Sequence, residues 1–459
     1  MEHRLELPDG FCLNYTNVTR DKIGPLGLAV NELAGRPEIG AAMDALAVMR
    51  RSGDVRGHNE KVYFTHLAYQ EGNAPDRLRA IAEWGADVRS RCRAVVSLGI
   101  GGSYLGNQVL ADALLSPLWN SLAGPETAPQ LFFSGNNVDP QSIRDLDKIL
   151  DLERTMFVVI SKSGTTTETM AAFLHFYNRC RAAGLDPSRH FTAVTDPEHG
   201  ILLQIARQER LPLFQVPPGV GGRFSVLADV GLLVAAAAGI AIPELLGGAR
   251  AMVEAADSRD LLQNPPCLYA AICHELYRRA GIHEAVLMPY SDRLRSFALW
   301  YVQLLAESLG KEKNRRGETV YEGRTPIAAV GTSDMHAQTQ QHQGGKKNKL
   351  VTTIAVADFG ADEITLPSEG PWTRELAFVA GRSFGRLLRA ARVANEEALA
   401  ADGRPSLSIT IPQLSPYTLG QLFLFFELAT AFEGELLDVN AFDQPGVENY
   451  KKLMKELLR

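Results

Sequence analysis

Short apolar runs recur along this chain at the spacing of alternating strands and helices, and this rhythm limits its possible folds more than any other feature. Ala94-Val95-Val96-Ser97-Leu98, Gln130-Leu131-Phe132-Phe133, Met156-Phe157-Val158-Val159-Ile160 and His190-Phe191-Thr192-Ala193-Val194 read as strands, with helical stretches at 105–115, 140–150 and 168–183 between them. The runs are apolar throughout rather than alternating, so both faces of each strand have to be covered. Strands of that kind, joined by helices, form a parallel sheet with helices on both sides. The pattern returns at 285–289, 326–330, 350–357 and 407–411, with helices expected at 293–309, 336–342 and 372–399. The expected fold class is α/β, with two parallel sheets flanked by helices and joined through a helical region at about 224–279. The divisions expected are a helical N-terminal segment at 1–60, a first α/β domain at 61–255, a second at 256–425 and a C-terminal helical arm at 426–459.

A length of 459 residues leaves room for two or three domains. Lys and Arg number 47 against 53 Asp and Glu, a net charge of -6, which lacks the electrostatic footprint of a nucleic-acid binder. The conspicuous uncharged, apolar stretch at 230–243 is shorter than the roughly 20 residues a bilayer requires and reads as a buried core helix, so no membrane partner is expected. Met1-Glu2-His3-Arg4 leads into mixed polar sequence rather than an apolar leader. The cysteines, Cys12, Cys92, Cys180, Cys267 and Cys273, are odd in number and lack C-x-x-C spacing, which points to reduced thiols and a cytoplasmic location. The histidines show neither H-E-x-x-H nor H-x-H, so no metal is expected.

Two glycine-rich loops and one hydroxyl-rich loop carry the chemistry. After the first strand comes Gly99-Ile100-Gly101-Gly102-Ser103-Tyr104-Leu105-Gly106. A dinucleotide fingerprint would place glycine where Tyr104 stands, so no nicotinamide or flavin cofactor is expected. The glycines still allow backbone N–H groups to approach a ligand closely. After the third strand, Ser161-Lys162-Ser163-Gly164-Thr165-Thr166-Thr167 sets hydroxyls, N–H groups and an ammonium at the positive end of the next helix. That combination suits a phosphate monoester, and no Walker A loop occurs to suggest a nucleoside triphosphate. In Gly219-Val220-Gly221-Gly222-Arg223-Phe224-Ser225 the arginine either points inward at an anion or lies on the surface.

Gln303 and Glu307 lie four apart on one face of a mostly apolar helix. Glu307 reads either as a desolvated proton acceptor or as a surface carboxylate paired with Lys311. His336 opens a polar helix after Gly331-Thr332-Ser333-Asp334-Met335, as a proton carrier or as a structural residue. Gln444 and Lys451 are two helical turns apart around Pro445, and on its own Lys451 reads as a solvated lysine.

Taken in order over roughly 58–459, the stretches Gly99 to Gly106, Ser161 to Thr169, Gly221 to Ser225, Gln303 with Ala306 to Lys311, Gly331 to His336 and Gln444 to Lys451 resemble the phosphoglucose isomerase (glucose-6-phosphate isomerase) family in its shorter bacterial form. The resemblance implies two sugar-isomerase (SIS) domains and reversible conversion of glucose 6-phosphate to fructose 6-phosphate through a cis-enediol, without a cofactor. It implies that Ser161, Lys162, Ser163 and Thr166 form the phosphate site. Gly102, Ser103 and Gly222 would border the sugar, and Gln303 and Gln444 would line the pocket. Glu307 would be the base, Arg223 the cation that steadies the enediolate, and His336 and Lys451 the groups that open the sugar ring. It further implies a homodimer with shared active sites, His336 entering from the neighbouring subunit.

The stretch after His336, Ala337-Gln338-Thr339-Gln340-Gln341-His342-Gln343-Gly344-Gly345, departs from the family's commoner aromatic-rich sequence, and Lys346-Lys347-Asn348-Lys349 reads as a solvated turn. Related readings are an isomerase that also accepts mannose 6-phosphate and a non-catalytic SIS sensor of sugar phosphates. A sensor would have no need for Glu307, Arg223, His336 and Lys451 together.

Overall fold

Two α/β units, each built on its own sheet, make up the computed structural model, which describes residues 2–122 and 128–458. One unit comprises Met49–Val55 and Asn59–Arg250, and the other Met1–Val48, Arg56–His58 and Ala251–Arg459. The N-terminal segment, expected to be helical, opens with two strands, β1 (Arg4–Glu6) and β2 (Cys12–Asn14), paired antiparallel. Leu5 and Leu13 on them are buried, so even these short runs alternate as half-covered strands do.

The sheet of the 49–250 unit contains β3 (Ala94–Leu98), β4 (Gln130–Ser134), β5 (Thr155–Ile160), β6 (Phe191–Thr195) and β7 (Leu213–Gln215). All pairings are parallel and the order is β4-β3-β5-β6-β7. Every residue of β3, β5 and β6 is buried, as continuous apolar runs require. Phe157 stacks on Phe176 and Phe191 with ring centroids 4.8 and 4.9 Å apart, forming the centre of this core. The order reverses between β3 and β5, because β3 leads to β4 on one side whereas β5 leads to β6 and β7 on the other. At such a point the loops leaving the strand ends diverge and open a crevice.

The second unit contains β8 (Glu284–Pro289), β9 (Lys311–Lys313), β10 (Thr319–Glu322), β11 (Thr325–Ala328), β12 (Lys349–Val356) and β13 (Ser406–Ile411). Its sheet runs β1-β2-β13-β12-β8-β11, with β13, β12, β8 and β11 parallel and β2 antiparallel to β13. The order again reverses, here between β12 and β8. β9 and β10 pair as a separate ribbon. The helix Pro416–Leu436 runs straight through the boundary expected at 425/426 and is buried along nearly all its length, held at its start by a capping box of Ser415 and Thr418. Among the described residues no helix is long and apolar enough to cross a membrane.

Two further expectations change. The helix expected at 372–399 begins only at Phe384, where the Ser383 hydroxyl accepts from the Arg386 N–H at 3.2 Å. Before it, 364–367 and 381–384 run antiparallel, with Trp372 at φ 66 and Gly381 at φ 69, conformations a helix cannot contain. The supposed solvated turn at 346–349 ends in the first residue of β12. There Lys349 is 6 % exposed and pairs with Glu284 at 3.1 Å, while Lys347 donates to Asp402. A run of lysines read as a surface signal hides one whose stem and charge are both inside.

A deeply buried ion pair joins Arg324 to Glu433, with Nε to Oε1 at 2.9 Å and Nη2 to Oε2 at 2.6 Å. The forked geometry offsets the desolvation of both charges only while both partners are present. Glu433→Gln is therefore expected to lower unfolding stability by about 3 kcal/mol, whereas the double variant Arg324→Met, Glu433→Leu recovers most of it. Urea melts of the three proteins check this, and a double variant as unstable as the single one would contradict it.

Buried His342 has its pKa held below the ordinary histidine value, first by burial and then by the Lys349 charge, against the opposing pull of Glu284 and Asp334. The folded state thus binds a proton less readily than the unfolded chain. The stability His342 contributes is complete above about pH 6.5 and is lost as pH falls towards its lowered folded value. Thermal melts between pH 8 and pH 5 should show a smaller acid loss in His342→Gln than in the unaltered protein. Equal losses would remove His342 as a source.

Candidate active site

In the 49–250 unit the predicted loops lie at the carboxyl ends of β3 and β5, on either side of the strand-order reversal. Ser161 is buried and its hydroxyl accepts the Gly164 N–H at 3.1 Å, which folds the loop back on itself. Gly164 sits at φ 67, and a Cβ there would fall 2.3 Å from the Leu202 backbone nitrogen, so only glycine fits. The loop is fastened from below by Thr195, whose hydroxyl donates to the carbonyls of Ser161 at 2.8 Å and Lys162 at 3.1 Å. Lys162 and Ser163 are left exposed at the tip. Thr166 is the N-cap of the helix Thr167–Ala182, yet its side chain makes no capping hydrogen bond. The first N–H groups of a 16-residue helix and the surrounding hydroxyls thus remain directed at whatever binds there.

The two glycine-rich loops of this unit meet backbone to backbone. A Cβ on Gly102 would lie 2.1 Å from the carbonyl carbon and oxygen of Gly222, so any side chain at 102 would force the loops apart. Half-buried Ser103 and buried Arg223 are brought together by this contact. Arg223 sits in the 3-10 turn Gly222–Phe224, its guanidinium carbon 5.4 Å from the centroid of the Phe224 ring. A third glycine was given no role from the sequence. Gly135, at φ 68 after β4, would place a Cβ 3.1 Å from Thr169 Cα and 3.5 Å from the Gly99 nitrogen. It lets the first loop lie against the helix that the hydroxyl loop starts, and its signal was a glycine after yet another parallel strand.

In the second unit Glu307 stands in the last turn of the helix Arg295–Leu309, half-buried, and Gln303 Nε2 donates to its Oε1 at 3.1 Å. The buried face of that helix is made by Trp300, Tyr301, Leu304, Leu305 and Ser308, which leaves Gln303 and Glu307 on its open flank. Lys311, one turn on, is buried and donates to Asp443 Oδ1 at 2.8 Å and to the Asp443 carbonyl at 2.5 Å. The lysine that could have served as a surface partner for Glu307 thus ties the chain at 443 to the end of the Glu307 helix. Exposed Gln444 follows directly. Beyond it Lys451 projects from the helix Glu448–Leu457, half-exposed, with Nζ 3.1 Å from Glu448 Oε1.

His336 is exposed in the first turn of the helix Met335–Gly344. Asp334 fixes the entry by accepting the Val330 N–H at 2.7 Å, and Met335 packs against the core cluster that includes Tyr290 and Ala329. This helix leaves the carboxyl end of β11, whereas Glu307 ends a helix that has returned to the amino edge of the same sheet. The neighbouring six-residue β8, along which the Glu307 helix returns, spans about 20 Å, so the unit does not bring His336 to Glu307. What the two units present is a set of parts: an open, hydroxyl-lined helix start for an anion, a buried guanidinium, an amide-supported carboxylate and an exposed imidazole.

The profile of the phosphoglucose isomerase family matches residues 73–459. The chain is 41% identical over 396 residues to a glucose-6-phosphate isomerase of Carboxydothermus hydrogenoformans, covering 86% of this chain and 84% of that one. It is 32% identical over 445 residues to a probable glucose-6-phosphate isomerase of Methanococcus maripaludis, covering 97% and 93%. The crystal structure of a glucose-6-phosphate isomerase from Chlamydia trachomatis superposes with a TM-score of 0.84 at 26% identity, over 99% of this chain and 89% of that one. With the profile spanning both α/β units and relatives aligned nearly end to end, the chain belongs to the phosphoglucose isomerase family.

Proposed function

We propose that this protein interconverts glucose 6-phosphate and fructose 6-phosphate, a step shared by glycolysis and gluconeogenesis. The observation that carries the reading is the helix start at Thr166, uncapped by its own side chain and ringed by Ser161, Lys162 and Ser163, in a chain of this family. A phosphate monoester supplies the charge that such a site lacks, and its binding fixes the sugar remote from the reacting carbons. Gly102, Ser103 and Gly222 border the sugar, and Gln303 and Gln444 contact its hydroxyls.

The reaction moves one proton and no net electrons, so its barrier is the carbanion-like enediolate. His336 and Lys451 open the ring. Glu307 takes the proton from C2 of the open-chain aldose, leaving a cis-enediolate; the O2 hydroxyl proton passes to O1, and Glu307 returns its proton to C1 to give the ketose. The Gln303 amide supports this carboxylate by donating to Oε1. Arg223, fixed in a turn that glycine contacts define, offsets the enediolate charge without having to reorganise. The exposed His336, on the sheet edge away from Glu307, supports a homodimer in which each subunit lends this histidine to the other. The free cysteines accord with a cytoplasmic protein.

Glu307→Gln should cut kcat about 10³-fold or more while fructose 6-phosphate still binds within a few-fold of the original affinity. A coupled turnover assay paired with direct binding checks this, and near-normal turnover would remove Glu307 as the base. Arg223→Ala should lower kcat by more than it raises KM, with Arg223→Lys recovering part of the rate. A change in KM alone would make Arg223 a ground-state binder.

A further inference from the structure

Both sheets reverse their strand order once, and the second unit has a cavity at its own reversal. Matched by the order of their connections, β8, β11, β12 and β13 correspond to β3, β4, β5 and β6. The helix Phe384–Ala401 then takes the place of Thr167–Ala182. There, at the carboxyl edge of the sheet, lies a cavity of about 340 Å³ walled by Tyr290 after β8, Ala357 after β12, Thr410 of β13, and Gly385, Arg389 and Arg392 of the helix. Glu307, at the amino edge, is not part of it.

The chemistry of this cavity is not that of the hydroxyl loop. The helix start is already occupied, since the Gly385 N–H donates to Glu363 Oε1 at 2.9 Å and the Arg386 N–H to Ser383 Oγ. Positive charge comes from side chains instead. Arg389 is exposed and donates from Nη2 to the Ala357 carbonyl at 2.8 Å, which aims its guanidinium along the cavity wall. Arg392 is only 14% exposed; its Nη1 donates to Glu396 and to Ser408 Oγ, but its buried Nε has no hydrogen-bond partner. Glu396 is committed elsewhere too, accepting from Thr353. Tyr290, 2% exposed, accepts from Asn395 Nδ2 at 3.3 Å, which leaves its phenolic proton unspent. A cavity that offers two guanidiniums and a phenol, with unmet donor capacity, is complementary to a compact anion.

We propose that this cavity is a second, non-catalytic anion site that takes a small phosphate ester. Arg389 and Arg392 hold the phosphoryl oxygens, and the carbon body rests on the apolar strand ends. The proposal borrows only a topological match from the phosphate role proposed for 161–166, and its test separates the two.

Equilibrium binding of inorganic phosphate and of glycerol phosphate is measured on the full chain in three forms: unaltered, Arg389→Gln, and Ser163→Ala with Thr166→Val. Two anions per chain are expected in the unaltered protein. Arg389→Gln should weaken one of them about tenfold or more and leave kcat and KM for fructose 6-phosphate unchanged when no phosphate is added. One anion per chain in the unaltered protein, or two undiminished sites in Arg389→Gln, overturns the second site. If the loop variant keeps both sites while Arg389→Gln loses one, the second site stands and the phosphate role of the loop fails.

Discussion

Burying both faces of a parallel sheet decides where this protein can do chemistry. Once β3, β5, β6, β8, β12 and β13 are covered by helices above and below, no polar side chain can act from the middle of a strand without leaving unmet hydrogen bonds. The reactive groups are driven to the strand ends and to the flanks of the return helices. The Ser161–Thr166 loop, the paired glycine loops and the Gln303–Glu307 face all obey this constraint. The strand-order reversal then picks out which ends have room for a ligand.

The parts differ in how they are fixed, and the difference follows from what each has to meet. The anion-binding loop is held by backbone and hydroxyl contacts, with Ser161 closing it and Thr195 fastening it, while the Thr166 side chain leaves the helix start uncapped. Arg223 is buried beside the point where two glycines let the loops touch, with its guanidinium against the Phe224 ring. The Glu307 helix is anchored through charge, by Lys311 on Asp443, and that tie also sets where Gln444 and the last helix begin.

Much of this was legible in the sequence because the signals were local. Apolar runs marked eight of the strands within a residue or two, and loops rich in glycine or hydroxyls marked the strand ends that matter. What escaped depends on distant partners. β1 and β2 are only three residues each and become strands because β13, some 400 residues later, offers them an edge. Lys349 reads as a surface residue until Glu284 is brought beside it. Trp372 sits in a helix-like stretch of sequence, but the glycines at 370 and 381 bend the chain first. Arg389 and Arg392 look like the charged face of an ordinary helix, since nothing in their spacing reveals the cavity they border. The site residues themselves were assigned through motif order more than through spacing, which left Glu307 and Lys451 ambiguous.

The pairing of β2 with β13 also sets a timetable for synthesis. The 49–250 unit has every strand of its sheet within one continuous stretch, so it can close while the rest is still being translated. The other unit has strands on both sides of that stretch in sequence and cannot finish its sheet until residues 406–411 have left the ribosome. The pair β1 and β2 must wait for the β13 edge through most of translation, and their shortness keeps that wait from presenting a long sticky edge to other nascent chains.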